Sequence, residues 1–532
     1  MEAKKYQAFW RGAIILTIAS FVTKVLSAFY RIPYQNIAGD VGFYIYQQIY
    51  PFYGFCLILA TYGFPIIISK MVAERLEQGK PKEAEEIVCV SFWFLLGIGC
   101  IGFFILFFGA HTIASAMGDG HLDKLLRVIS FSFLLMPFLS VARGYFQGFN
   151  NMMPTAISQV IEQTIRVSII VFLSMFLIAH EFDLYTVGAG AMLGSIAGGF
   201  IGIVVLLWYM RHDFRSIFLQ GWKRIRNKKK LIRVLFWQGI AICVSNLVLI
   251  FIQMADSVSF YTLLIHAGEQ SETAKVLKGI YDRSIPLMQL GTVITTSFSL
   301  SLIPIITAAK ERGDHSFIRD KVQLALKITV VIGSAAALGL ACIIKPTNIM
   351  LFENSDGSGV LAILAISILF SSLSITTASI LQGLGQALKP ALFVIFGGCL
   401  KLLLNHMLMP HFGVTGAAIA TLIALMGIVF LNSALLIRVV GEPIIYKQNI
   451  FGVMASGLGM TFILMIFMRM SEGVGLVEEG YRGMATVEAL LGVVIGGLIY
   501  VFLILKMHVF TKEELGTFMK RDKVKDSLKK SG

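Results

Sequence analysis

The chain has 532 residues, of which 56% are hydrophobic and only 14% charged. Soluble domains carry about 25% charge, so the composition excludes a soluble globular protein, and no polar stretch is long enough to form such a domain. The formal net charge of +14 therefore has to be read from the positions of the basic residues.

Apolar runs of about 20 residues, each long enough to cross a bilayer, recur along the whole chain. They lie at 12–30, 43–69, 87–110, 124–146, 155–179, 186–210, 234–258, 281–309, 325–345, 359–381, 391–409, 414–437, 450–468 and 485–505. The first has the basic start of a signal peptide. Lys24 interrupts it, however, and no small-residue cleavage site follows, so it reads as a membrane helix. The pattern predicts an all-α integral membrane protein of about fourteen spans.

Landmarks repeat. Gln147-Gly148 recurs 235 residues later as Gln382-Gly383, with Pro154 matched by Pro390, and Pro51 recurs as Pro286, again 235 residues later. Pro65-Ile66-Ile67 recurs as Pro304-Ile305-Ile306, and Gly188-Ala189 as Gly416-Ala417. Four matches in one order indicate duplication. The chain then divides into an N-lobe of six spans (1–210), a basic linker (211–233), a C-lobe of six spans (234–437), an appended span pair (450–505) and a basic tail (506–532). Six is even, so both lobes enter from one side, as a parallel repeat.

On this topology 33 Lys and Arg residues fall on one side and seven on the other. That asymmetry predicts both termini on the cytoplasmic side. The linker, which contains WKRIRNKKK, is expected to rest on anionic lipid headgroups rather than on nucleic acid. The six cysteines show no paired or metal-like spacing and read as free thiols.

A charge at mid-bilayer costs about 2.5–3.5 kcal/mol, so each intramembrane charge needs a reason. Glu162 and Arg166 are four apart on one helix and are expected to form a structural ion pair. Lys24, Arg31, Arg283 and Lys401 have no acid four residues away. Cations of this kind suit a cavity for an anionic headgroup; for Arg31 and Arg283 the competing reading is snorkelling to an interface. Asp256, a lone carboxylate, offers with Asn405 an oxygen site for a coupling Na+ or a carrier for a proton. The stripe Gly190, Gly194, Gly198 and Gly202 serves close helix packing, and the two Gln-Gly…Pro segments read as turns set by Gly and Pro. No phosphate-binding GxxxxGK[ST], HExxH or GxSxG motif is present. No enzyme activity, metal centre or further cofactor is expected, and a monomer is expected.

The runs FVTKVLSAFYR and GIYDRSIPLMQLGTVITTSFSLSLIP, with the two Gln-Gly…Pro segments and the span count, resemble one superfamily. This is the multidrug/oligosaccharidyl-lipid/polysaccharide flippase superfamily, in its polysaccharide-transport branch with SpoVB-type and MurJ-type lipid flippases. The resemblance implies two lobes around a cationic cavity worked by alternating access. It implies lipid pyrophosphate contacts at Lys24 and Arg283, with Arg31 an approximate match to a further arginine. It also implies a lipid-tail groove at the last two spans, and a sodium ligand near Asp256. The expected function is movement of an undecaprenyl-pyrophosphate-linked cell-envelope precursor, lipid II or a related unit, to the outer leaflet of a bacterial plasma membrane. The alternatives are a cation-coupled multidrug exporter of the same superfamily and a non-transporting scaffold of an envelope-synthesis complex.

Overall fold

The computed structural model describes residues 2–211, 228–441, 447–473, 482–511 and 514; these are almost wholly helical, with no strand among them. Most of the basic linker and most of the basic tail lie outside the described residues. The dominance of helix follows from the solvent. Lipid offers no hydrogen bonds, so the backbone must satisfy itself within each segment.

Eleven stretches are long and apolar enough to cross a membrane, against the fourteen expected spans. Two of the eleven are unusually long: Ile15–Glu77 has 63 residues and Leu388–Val440 has 53. Each is a hairpin. Helix α1 (Glu2–Phe29) runs into α2 (Arg31–Ile58), and the chain reverses inside α2 at Gly39, where φ is +68°. The hydroxyls of Tyr30 and Tyr46, on opposite limbs, are 2.7 Å apart. The second reversal is at Gly413, where φ is +53°. Open space surrounds both glycines, so the left-handed backbone, not crowding, demands glycine there.

The helices pack in two groups. In the first, α3 (Phe64–Glu77), α4 (Pro81–Phe108), α5 (Asp123–Gly148), α6 (Met153–Ala179) and α7 (Leu184–Met210) surround the α1–α2 hairpin. In the second, α8 (Val248–His266), α9 (Ser271–Asp282), α10 (Ser284–Glu311), α11 (His315–Cys342), α12 (Ile344–Phe352) and α13 (Ser358–Gly383) gather with α14 (Leu388–Val440). The groups meet where α1 packs on α10 and where α2 packs on α8 and α9. Helices α15 (Lys447–Gly473) and α16 (Arg482–Lys506) pack on each other and against α11, with α16 also on α12. Just past α16, Glu514 accepts from the Lys327 ammonium of α11 at 2.8 and 2.9 Å.

The Gln-Gly…Pro segments differ from expectation. Gly148 and Gly383 close helices α5 and α13 rather than forming turns. A Cβ on Gly148 would stand 2.6 Å from the Val72 side chain, and one on Gly383 would stand 3.1 Å from Ile306. Both glycines therefore permit the same close helix approach in each group. The turns themselves fall at Asn150 and Gly385, which take positive φ. None of the six cysteines forms a disulfide, and Cys56, Cys89 and Cys243 are buried.

Candidate functional site

A cavity of about 200 Å³ lies between the two groups, lined by Lys24, Arg31, Tyr50, Tyr62, Gln253 and Gln289 among others. A second, of about 130 Å³, shares Lys24, Tyr50, Tyr62 and Gln289 with it and reaches Ser27 and Glu162. Tyr50 and Tyr62 are the aromatic residues of both linings, and Tyr50 belongs to a row of tyrosines on the α2 limb beyond Gly39, with Tyr46, Tyr50 and Tyr53 in contact in sequence.

Lys24 and Arg31 line the central cavity, and a third cation, Arg166, stands against Tyr30 and Tyr53 without lining either cavity. Lys24 projects from α1 with Nζ 5.8 Å from the centre of the Tyr62 ring, and it has no carboxylate partner among the described residues. Arg31 is buried; its Nη1 donates to Gln289 Oε1 at 2.7 Å across the group boundary, and its guanidinium sits 4.3 Å over the Tyr50 ring. Arg166, also buried, donates to Tyr53 Oη at 2.9 Å. One hydroxyl, Ser27 Oγ, takes both guanidinium groups, at 3.4 Å from Arg31 and 3.3 Å from Arg166. Neither arginine forms an ion pair among the described residues, and Nε of each is buried without a hydrogen-bond partner.

The expected Glu162–Arg166 pair is therefore corrected. Glu162 pairs instead with Arg143 of α5. Arg143 is wholly buried, and its Nη1 also donates to Thr61 Oγ1 at 3.1 Å. The glycine stripe of α7 explains the geometry. A Cβ on Gly198 would lie 2.6 Å from the Glu162 carbonyl, and one on Gly194 would lie 3.0 Å from the Arg166 carbonyl. With α7 pressed onto this part of α6, Glu162 faces α5 and Arg166 faces the tyrosine row. Replacing Glu162 with alanine should leave Arg143 buried and unpaired, at a cost of about 3–5 kcal/mol. Adding Arg143→Met should recover most of the loss. Thermal melting of the purified protein in detergent checks both; equal melting of Glu162→Ala and wild type would refute the assignment.

Arg283 is also placed differently from expectation, because it lines neither of these cavities. Its Nε and Nη2 grip Asp40, beside the Gly39 reversal, at 2.7–3.0 Å. Nη1 donates to Asn354 at 2.6 Å, and Phe352 covers the guanidinium. Asp40 belongs to the first group and Arg283 to the second, so this bidentate pair latches the groups together at one end of the boundary.

Lys401 is likewise no cavity cation, and Asp256 is not a lone carboxylate. Lys401 Nζ lies 2.9 Å from Asp256 Oδ1, and Asn405 Nδ2 donates to the same oxygen at 3.0 Å. Tyr281 donates to Asp256 Oδ2 at 3.1 Å. An ammonium and an amide thus already occupy the Asp256 oxygen expected to take a coupling cation.

Sequence reasoning missed Arg143, Asp40 and the free state of Arg166. No local signal marks them, because each depends on which distant helix lies opposite. The tyrosine pattern of α2 was the available signal: Tyr46, Tyr50 and Tyr53 fall at helical spacing on one face.

The model of the family described as polysaccharide biosynthesis protein matches residues 9–310. An uncharacterized membrane protein of Bacillus subtilis, YabM, is 40% identical over 96% of this chain and 94% of its own length. The lipid II flippase MurJ of the same organism is 25% identical over 92% of this chain and 94% of its own. Among solved structures, a lipid II flippase MurJ in an inward closed conformation aligns with TM-score 0.64 at 14% identity, covering 96% of this chain and all of that one. An inward-facing multidrug resistance MATE family transporter of the MOP superfamily has the same TM-score at 15% identity, covering 80% of this chain and 98% of its own.

Proposed function

We propose a function from one premise: the chain belongs to the polysaccharide biosynthesis protein family. It is a multi-pass membrane transporter of the MOP flippase superfamily. Within that class, our reading is a flippase for an undecaprenyl-pyrophosphate-linked saccharide, lipid II or a related cell-envelope unit.

The observation that carries the reading is the cation cluster. Lys24 and Arg31 line the central cavity, Arg166 shares the Ser27 hydroxyl with Arg31, and none of the three has an ion-pair partner among the described residues. Adjacent buried like charges are unfavourable unless an anion joins them. A pyrophosphate supplies that charge, and two guanidinium Nε–H groups without partners can donate to its oxygens. An exporter of organic cations needs the opposite charge in its cavity. The neutral Arg143–Glu162 pair beside the cluster adds none of either sign.

In the mechanism we propose, the headgroup enters between the groups while the Asp40–Arg283 latch holds the far end shut. Release of the latch then lets the groups rock and expose the headgroup on the other side. With both termini cytoplasmic in a bacterial plasma membrane, a potential negative inside favours outward movement of anions by about 2.3 kcal/mol per charge per 100 mV. The lipid tail would stay in the bilayer beside α15 and α16, whose outward faces carry Phe451, Phe462, Leu498 and Phe502.

The test is complementation. Bacteria depleted of their own lipid II flippase receive this chain, and surface-exposed lipid II is measured with an external cleaving reagent. Restored exposure is expected. Its absence, in cells where the protein reaches the membrane, would exclude lipid II and direct the same assay to other lipid-linked saccharides.

A further inference from the structure

We infer that the Lys401 ammonium is a tethered cation filling an oxygen site that would otherwise take a free monovalent cation, so that this chain binds no Na+ at Asp256. The site lies away from the cation cluster, and the inference goes beyond the proposed substrate.

The geometry is that of a cation shell. Three oxygens of different kinds surround Nζ: the Asp256 carboxylate at 2.9 Å, the Ala417 carbonyl at 2.6 Å and the Tyr281 hydroxyl at 3.5 Å. The hairpin builds it. Reversal at Gly413 brings the returning limb of α14 against the outgoing one, so that Ala417 faces Lys401 on the same helix pair. A second layer holds the shell in place. Asn405 donates to Asp256 and Ser259, each at 3.0 Å, and Tyr281 and Thr421 hydroxyls are 3.0 Å apart. Lys401 and Asn405 are wholly buried.

Charge balance argues the same way. One carboxylate meets one ammonium. The next charges along, Lys278 and Asp282, form their own pair on α9. A bound Na+ would add an uncompensated positive charge at a buried site. Removing the lysine charge reverses this, because Asp256 is then the unpaired ion and the remaining oxygens can receive a metal cation. A cavity of about 30 Å³, large enough for a water molecule, borders Asp256 and Tyr281 and shares the lining residue Gln253 with the central cavity.

Thermal melting of the full-length purified protein tests this, in NaCl against KCl and N-methyl-D-glucamine chloride at equal ionic strength. Wild type is expected to melt alike in all three. Lys401→Ala is expected to gain a Na+-specific rise of about 3 °C or more, which Asp256→Asn added to it abolishes. Should Lys401→Ala not accumulate, Lys401→Gln takes its place. A Na+-specific rise in wild type that Asp256→Asn removes would overturn the inference, and this arm needs no Lys401 variant. A folded Lys401 variant that melts alike in all three salts would overturn it as well. The readout is cation binding, so its failure is separable from failure of the flippase reading.

Discussion

Arg166→Ala should abolish most of the transport while leaving the protein at least as stable as wild type. The two effects have opposite signs for one reason. Arg166 and Arg31 repel each other across Ser27 with no acid between them, so removing one relieves the empty protein. The same removal takes a charge-assisted contact from a bound pyrophosphate, worth about 1.5–3 kcal/mol, or roughly 10–150-fold in affinity. Arg31→Ala is expected to behave alike, and the double variant to fall below detection. Arg166→Lys should recover part of the activity, since an ammonium supplies the charge but not the fork. The surface-exposure assay for lipid II, paired with melting curves, reads both quantities. A structural role for Arg166 predicts the reverse pattern, with melting temperature and activity falling together, and that result would remove Arg166 from the binding site.

The second large effect concerns the latch. Asp40→Ala leaves the wholly buried Arg283 with only the neutral side chains of Asn348 and Asn354 as hydrogen-bond partners. Breaking a buried pair from one side costs about 3–5 kcal/mol, and here that cost falls on the closed arrangement of the two groups. A penalty of about 3 kcal/mol shifts a two-state population roughly 10²-fold. The expected result is a protein biased toward opening at the Asp40 end. A cysteine placed at Gln289, which lines both cavities, should then react with a membrane-impermeant thiol reagent from outside the cell. In the otherwise wild-type background the same cysteine should stay protected. Exchanging the two residues, Asp40→Arg with Arg283→Asp, should restore protection. Unchanged labelling in Asp40→Ala would show that the pair does not hold this end closed.

Both effects involve residues whose identity was plain in the sequence and whose partners were not. Lys24, Arg31, Arg166, Asp256, Arg283 and Lys401 stand out because an ionisable group inside an apolar run is expensive. Their assignment by helical spacing failed where the true partner sits on another helix. Glu162 turns to Arg143, 19 residues away, rather than to Arg166. Arg283 finds Asp40 at a separation of 243 residues. The glycines of α7 were read correctly as packing residues, yet which side chains they would aim could not be inferred without α6 in place.

The sequence by itself determined that this is an all-helical membrane chain, and it determined the family. Those properties are local or periodic: a run of about 20 apolar residues must span as helix, because the backbone can satisfy its hydrogen bonds only within the segment. Only the tertiary structure decided which buried charges are neutralised and which have no ion-pair partner among the described residues. A buried charge is stabilised by whatever lies within a few ångströms of it, and in a bundle of helices that neighbour is chosen by packing between segments far apart in the chain.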